Sequence, residues 1–124
     1  MSKPILAVLV LSFALLGCGG TNYNIHKLPS GRQIKVMHIG TILFKSGERA
    51  LKLDYQTDLK ISDSLDLRNE VKDIWQVLKD DADKAQVTGA IISAQEVPSG
   101  FIFKTGHAYN FVFEKQSDST WKGL

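Results

Sequence analysis

Residues 62–89 read SDSLDLRNEVKDIWQVLKDDADKAQVTG, and this stretch decides the fold. Its apolar residues recur every three or four positions, which places them on one face of an α-helix. Ser62 or Ser64 suits the start of that helix as a cap, and Gly89 lies just beyond its end. The apolar face consists of Leu67, Val71, Ile74, Trp75, Leu78, Ala82 and Ala85. We therefore predict one long amphipathic helix that covers one face of a sheet.

The flanking segments have the alternating pattern of β-strands. In Arg49–Thr57 the residues Leu51, Leu53 and Tyr55 alternate with polar ones, which is typical of a half-buried antiparallel strand. Gly40 is expected to mark a bulge or bend within the preceding strand, which covers residues 33–44. The other expected strands cover residues 23–28, 33–44, 89–97, 101–104 and 108–115, with Trp121 packing or pairing after the last turn.

The links between these strands are short and rich in turn residues, as in Pro29-Ser30-Gly31 and Pro98-Ser99-Gly100. Strands joined by such links usually run antiparallel. The sequence therefore predicts an α+β fold, an antiparallel sheet of about four to six strands with the helix across one face. The expected order is β-β-(β)-α-β-β, within a single domain over residues 23–124.

The N-terminus has a different composition. After Lys3, the twelve residues from Ile5 to Leu16 are all apolar except Ser12. This length suits the core of a signal peptide and is too short to span a membrane, which takes about 20 residues. The stretch ends in Leu15-Leu16-Gly17-Cys18, and Cys18 is the only cysteine of the chain.

Leu15, Leu16, Gly17 and Cys18 resemble the lipobox of bacterial lipoproteins, a resemblance that covers only the first eighteen or so residues. It implies cleavage between Gly17 and Cys18, which removes residues 1–17, and attachment of a diacylglycerol to the sulfur of Cys18. Gly19 in place of Asp implies an outer-membrane anchor that faces the periplasm. Residues 18–22 are then the lipidated cysteine and a short flexible spacer, whose four residues after Cys18 reach about 14 Å.

Two other interpretations of the leader remain open. It suits an ordinary secretion signal followed by a spare thiol, or a buried first helix in a cytosolic protein. In the lipoprotein interpretation the mature chain has 107 residues, with 14 Lys and Arg against 13 Asp and Glu because Lys3 is removed. A net charge of +1 argues against a nucleic-acid-binding protein, for which a basic surface is expected.

The residues outside the leader show no pattern of a catalytic or metal site. His26, His38 and His107 fall in separate strands or turns, and none has the spacing of a metal-ligand pair. No serine lies in a Gly-x-Ser-x-Gly motif, and there is no glycine-rich phosphate loop. We expect no catalytic residues, no metal and no cofactor, and hence not an enzyme.

The sheet face opposite the helix, which carries Phe103 or Val112, is a candidate partner surface if it is partly apolar, and an acidic cluster near the end of the helix is a weak second candidate. Asp80, Asp81 and Asp83 lie where the helix dipole disfavours negative charge. Lys79 and Lys84 flank them, so a solvated helix face is the competing interpretation.

Three functional hypotheses follow. The first is a non-catalytic periplasmic lipoprotein that binds a protein or an envelope component near the membrane, a class that includes toxin-immunity lipoproteins. The second is a carrier or sensor of a small apolar ligand between sheet and helix, in a cavity lined by Leu53, Tyr55, Trp75 and Phe111. The third, a small hydrolase, requires His107 to meet Asp54 or another carboxylate.

Replacing Cys18 tests the anchor. We expect a fatty-acid probe fed to the cells to label the wild-type chain and not Cys18→Ala, because the thiol is the attachment point. In-gel detection of the probe measures this, and label that persists in Cys18→Ala would contradict the lipoprotein interpretation.

Overall fold

The structure, a computed structural model, describes residues 23–60, 62–97 and 107–123. Six strands form one sheet in the order of the sequence, and one helix packs on it. The elements are β1 (Asn24–Lys27), β2 (Gln33–Leu43), β3 (Arg49–Thr57), α1 (Ser64–Ala85), β4 (Gly89–Glu96), β5 (Ala108–Lys115) and β6 (Trp121–Lys122). The strand expected over 101–104 lies outside the described residues. Within those residues, no helix is both long and apolar enough to cross a membrane.

The sheet is mixed, so the prediction of an antiparallel sheet in the order β-β-(β)-α-β-β is wrong. The order is β-β-β-α-β-β-β, and β3 and β4 are parallel, with Ala50 opposite Gly89 and Thr57 opposite Glu96. The four other strand pairs are antiparallel.

The reason for the parallel pair is the length of the helix. The 22 residues of α1 rise about 33 Å, and the nine residues of β3 extend about 31 Å. The helix therefore carries the chain back to the end of the sheet where β3 began. From there β4 runs in the same direction as β3.

The helix buries the predicted apolar face against the sheet. Its buried stripe meets the inward side chains of β3 and β4, which alternate with outward ones. The ring of Trp75 stacks on Phe113 of β5, with centroids 4.0 Å apart, and meets Trp121 of β6 edge-on. The core side chains shared by the two layers are Leu51, Leu53, Tyr55, Leu67, Val71, Ile74, Leu78, Ala82, Ala90, Ile92 and Ala94.

The helix ends differ from the expected ones. Asp63 precedes the first helical residue, and no side chain caps that end. At the other end Gln86 adopts a left-handed conformation (φ 58°), and the next N–H, that of Val87, donates to the carbonyl of Ala82. Val87 is buried in the core, and the helix ends at Ala85 with Gln86 as its cap, whereas Gly89, expected just beyond the helix end, begins β4.

The irregularity in β2 lies at Met37 and not at Gly40, which pairs regularly with Lys52. Val36 is opposite Tyr55, and His38 is already opposite Asp54, so Met37 is the extra residue of a bulge. The bulge reverses the alternation of β2. His38 consequently points away from the helix. In a regular strand it would lie on the same face as Val36, towards the helix.

Truncation of Ile92 tests the position of the core. Ile92 is fully buried at the centre of β4, so Ile92→Ala should lower the free energy of unfolding by about 2–5 kcal/mol. Ile25→Ala is the matched control, since Ile25 is 60% exposed on β1, and it should cost less than about 1 kcal/mol. Urea unfolding measures both, and equal losses would contradict this assignment of the core.

Candidate binding surface on the open sheet face

The sheet face turned away from α1, here called the open face, carries alternate side chains of β2 to β5. Strand register arranges them in rows across the sheet. One row is Ile42, Ala50, Gly89 and Glu114, the next is Gly40, Lys52, Ile91 and Val112, and the third is His38, Asp54, Ser93 and Asn110. The open face therefore changes from partly apolar to polar along the strands.

A groove of about 410 Å³ lies at the end of the sheet where β3 and β4 begin. Ala50 and Gly89 lie side by side in its floor, and their small side chains leave the depression between the larger residues around them. The hairpin between β2 and β3 lines it with Phe44, Ser46, Glu48 and Arg49, and the β5 side lines it with Val112, Glu114 and Lys115. The volume is within the range of sites that hold small ligands or a partner's side chain.

The groove combines exposed apolar area with charges of both signs. Val112 is 54% and Phe44 45% exposed, although both are large apolar residues. Arg49 and Lys115 contribute positive charge. Their neighbours in sequence, Glu48 and Glu114, contribute negative charge. An apolar centre with a charged rim is the arrangement of many protein–protein interfaces.

Asp54 is the charged centre of the third row. Its Oδ2 lies 3.9 Å from His38 Nδ1, and its Oδ1 lies 3.6 Å from Lys52 Nζ. Oδ1 is shielded from solvent and accepts no hydrogen bond from the described residues. Asp54 lies between His38 and Ser93, whereas a nucleophilic serine needs the imidazole beside its hydroxyl. The row thus lacks the geometry of acyl transfer.

The histidine near Asp54 is His38 and not His107, the one that the hydrolase hypothesis requires. The backbone carbonyl of His107 accepts a hydrogen bond from the N–H of Glu96, at 2.8 Å. Sequence reasoning missed the row around Asp54, because its members meet only through the bulge in β2 and the parallel pairing of β3 and β4. Alternation within β3, which turns Asp54 away from Tyr55, was the only available signal.

A second polar cluster lies under the helix and has a structural role. Glu70 Oε1 accepts hydrogen bonds from Tyr55 OH at 2.8 Å and from Thr57 Oγ1 at 2.6 Å. Burial, followed by the negative charge of Glu70, raises the pKa of Tyr55. Arg32 pairs with Glu70 Oε2 at 3.4 Å and donates through Nε to Asp73 at 2.9 Å. The cluster joins α1 to β3 and to the turn before β2.

The structure places the three predicted acidic residues in different surroundings. Asp80 is exposed, while Asp81 is buried towards the sheet, where burial raises its pKa. Asp83 accepts hydrogen bonds from Trp121 Nε1 at 2.8 Å and from Lys115 Nζ at 3.1 Å. The bond from Trp121 is the main cause of the lowered pKa of Asp83. Gly17 and Cys18, the predicted cleavage and lipidation residues, lie outside the described part of the chain.

Two pockets that described residues line between helix and sheet are small, and the one that Phe111 lines, with Leu67 and Tyr109, measures about 90 Å³. A pocket of about 20 Å³ lies beside Leu28, Leu53 and Ile74, enough for roughly one water molecule. Tyr55 is hydrogen-bonded to Glu70, and Trp75 is stacked on Phe113, so neither lines a cavity for an apolar ligand. Such ligands need about 300 Å³ or more. This packing argues against the carrier hypothesis.

No family model, curated protein or solved structure matches this chain. Among residues 23–60, 62–97 and 107–123, no group of three or more His, Cys, Asp or Glu could hold a metal ion.

Asp81 and Asp83 should have opposite effects on stability as the pH changes. The pKa of Asp81 is raised in the fold above 3.8, so the free energy of unfolding falls as the pH rises from 3.8 through that raised pKa. Asp81→Asn should therefore stabilise the protein at pH 7, and its free energy of unfolding should lack this fall with rising pH.

The pKa of Asp83 is lowered below 3.8, so its contribution is complete above pH 3.8 and is lost as the pH falls through the lowered pKa. Asp83→Asn should therefore destabilise the protein at pH 7 and approach the wild type in acid. Urea unfolding from pH 3 to 7 measures both variants. Shifts of the same sign at pH 7 would contradict the assigned surroundings.

Proposed function

We propose that this chain is a non-catalytic lipoprotein of the bacterial cell envelope, anchored through Cys18, whose open face binds a protein or an envelope component near the membrane. The groove at the start of β3 and β4 is the observation that carries the binding role. The anchor rests on the resemblance of Leu15-Leu16-Gly17-Cys18 to a lipobox.

The shape and chemistry of the groove support a macromolecular partner. Val112 and Ile91 offer an apolar floor on which a partner's side chain loses contact with water. Arg49 on the rim attracts carboxylates, whereas Lys115 is already paired with Asp83. Glu48 and Glu114 attract cations. A partner with one apolar anchor side chain and charges on both sides of it matches this arrangement.

The location is part of the proposal. Gly19 after the lipidated cysteine favours the outer membrane and its periplasmic side. The five residues from Cys18 to Asn22 extend at most about 17 Å, so the domain and its groove stay near the lipid surface. The partner is then a component of that surface or a protein that reaches it.

A charge placed on the groove floor should abolish partner binding. We expect mild crosslinking in intact cells to join the full lipidated chain to a reproducible partner. Val112→Glu should reduce the yield about tenfold, since binding would then bury an unpaired carboxylate. Leu65→Glu is the matched control, because Leu65 is also exposed, on α1, and lies outside the groove.

The readout is the amount of crosslinked product, with circular dichroism to confirm that each variant is folded. Equal losses in both variants would place the partner surface elsewhere. A wild-type chain that is lipidated but gives no product would contradict the partner-binding role.

A further inference from the structure

The hairpin that joins β2 and β3 presents two adjacent apolar side chains at its tip. Leu43 is 72% and Phe44 45% exposed, and Lys45 follows them directly. The tip is a closed turn, in which the N–H of Phe44 donates to the carbonyl of Glu48 and the N–H of Gly47 donates to the carbonyl of Phe44. Gly47 has φ +90°, a conformation that favours glycine. These side chains are thus held in place by a defined turn.

The strand β1 shows from which side the proposed anchor approaches. Asn24 pairs with Val36 and Lys27 with Gln33, so β1 runs towards the start of β2 and away from the hairpin. The first residue of β1, Asn24, is therefore the residue of that strand closest to the hairpin. Along β2, the seven steps from Val36 to Leu43 cover about 24 Å, so the tip lies about 20 Å beyond Tyr23.

The spacer is about as long as this distance. Cys18 is five residues before Tyr23, which allows at most about 17–19 Å between their Cα atoms. An anchored Cys18 can therefore lie nearly level with the hairpin tip. The lipid surface and the exposed pair Leu43 and Phe44 then meet at the same end of the domain.

The charges in the hairpin itself suit a phospholipid surface. At the hairpin end Lys45 and Arg49 flank the apolar pair, with Glu48 as the one acid of residues 43–49. At the other end the exposed Leu65 lies between Asp63 and Asp66, with Lys60 and Arg68 nearby in sequence. Apolar side chains beside cations suit the boundary between acyl chains and phosphate groups, whereas carboxylates are repelled there.

We propose that the tip of the β2–β3 hairpin, Leu43 and Phe44 with Lys45, inserts into the phospholipid surface and orients the domain on the membrane. This inference rests on the proposed anchor at Cys18. Phe44, Ser46 and Arg49 also line the groove, so the groove opens beside the lipid headgroups. The partner of the open face is then met at the membrane surface.

Site-specific quenching by lipids tests this orientation. Because the sulfur of Cys18 carries the lipid, an introduced cysteine is the only free thiol of the lipidated chain. Ser46→Cys at the hairpin and Lys60→Cys at the opposite end are each labelled with an environment-sensitive fluorophore; both positions are exposed. The full lipidated chain is reconstituted in phosphatidylethanolamine–phosphatidylglycerol vesicles with or without a quencher attached to the acyl chains.

We expect the label at position 46 to be quenched at least threefold more than the label at position 60. Leu43→Asp combined with Phe44→Asp should remove most of that difference, while the chain still floats with the vesicles. Both replaced side chains are exposed, so circular dichroism should show an unchanged fold.

Flotation separates the two proposals. A wild-type chain that does not float with the vesicles contradicts the lipid anchor and thus the proposed function. A chain that floats with equal quenching at both positions, or stronger quenching at position 60, overturns the hairpin orientation and leaves the anchor intact. A hairpin that instead binds another protein gives this second result, because the vesicles contain no other protein.

Discussion

Where α1 lies across the end of β3, the carboxylate of Glu70 accepts hydrogen bonds from Tyr55 and Thr57 and pairs with Arg32. A buried carboxylate without such partners would cost several kcal/mol, so this contact fixes which part of the helix meets which part of the strand. With the first turns of α1 held at the end of β3, its 22 residues end where β3 begins. The parallel direction of β4, and with it every row of the open face, depends on this arrangement.

The sequence was sufficient for features that depend on neighbouring residues. The period of the apolar residues predicted α1, and alternation predicted β3 with the bounds Arg49–Thr57 that the structure has. Strand direction was mispredicted because turn composition describes only short links, while β3 and β4 are joined by a helix as long as the strand. The bulge at Met37 has no local signal either, since its neighbours in β2 are ordinary strand residues and Gly40 indicated the wrong position.

In the candidate site, too, the sequence could predict what neighbouring residues determine and not what tertiary pairing determines. A linear cluster of acids suggested one partner surface, but successive helical residues point in directions about 100° apart. Asp81 therefore faces the sheet, and Asp83 is turned towards Trp121. The groove could not be predicted, because Ala50 and Gly89 become neighbours only through the parallel pairing. Cys18 is different, since a lipidation signal is read from adjacent residues and its prediction needs no tertiary structure.

The parallel pair also places the groove and the β2–β3 hairpin at one end of the sheet. If β4 ran antiparallel to β3, Gly89 would lie beside the end of β3 and the small-residue floor next to Ala50 would be lost. Because both strands begin at the hairpin end, the floor lies between Phe44 on one side and Lys115 on the other. Because β1 runs away from the hairpin, its first residue, Asn24, is the one closest to that same end. A lipid anchor with a short spacer would then hold the groove at the membrane, whereas a longer spacer would let the groove move away from the lipid surface.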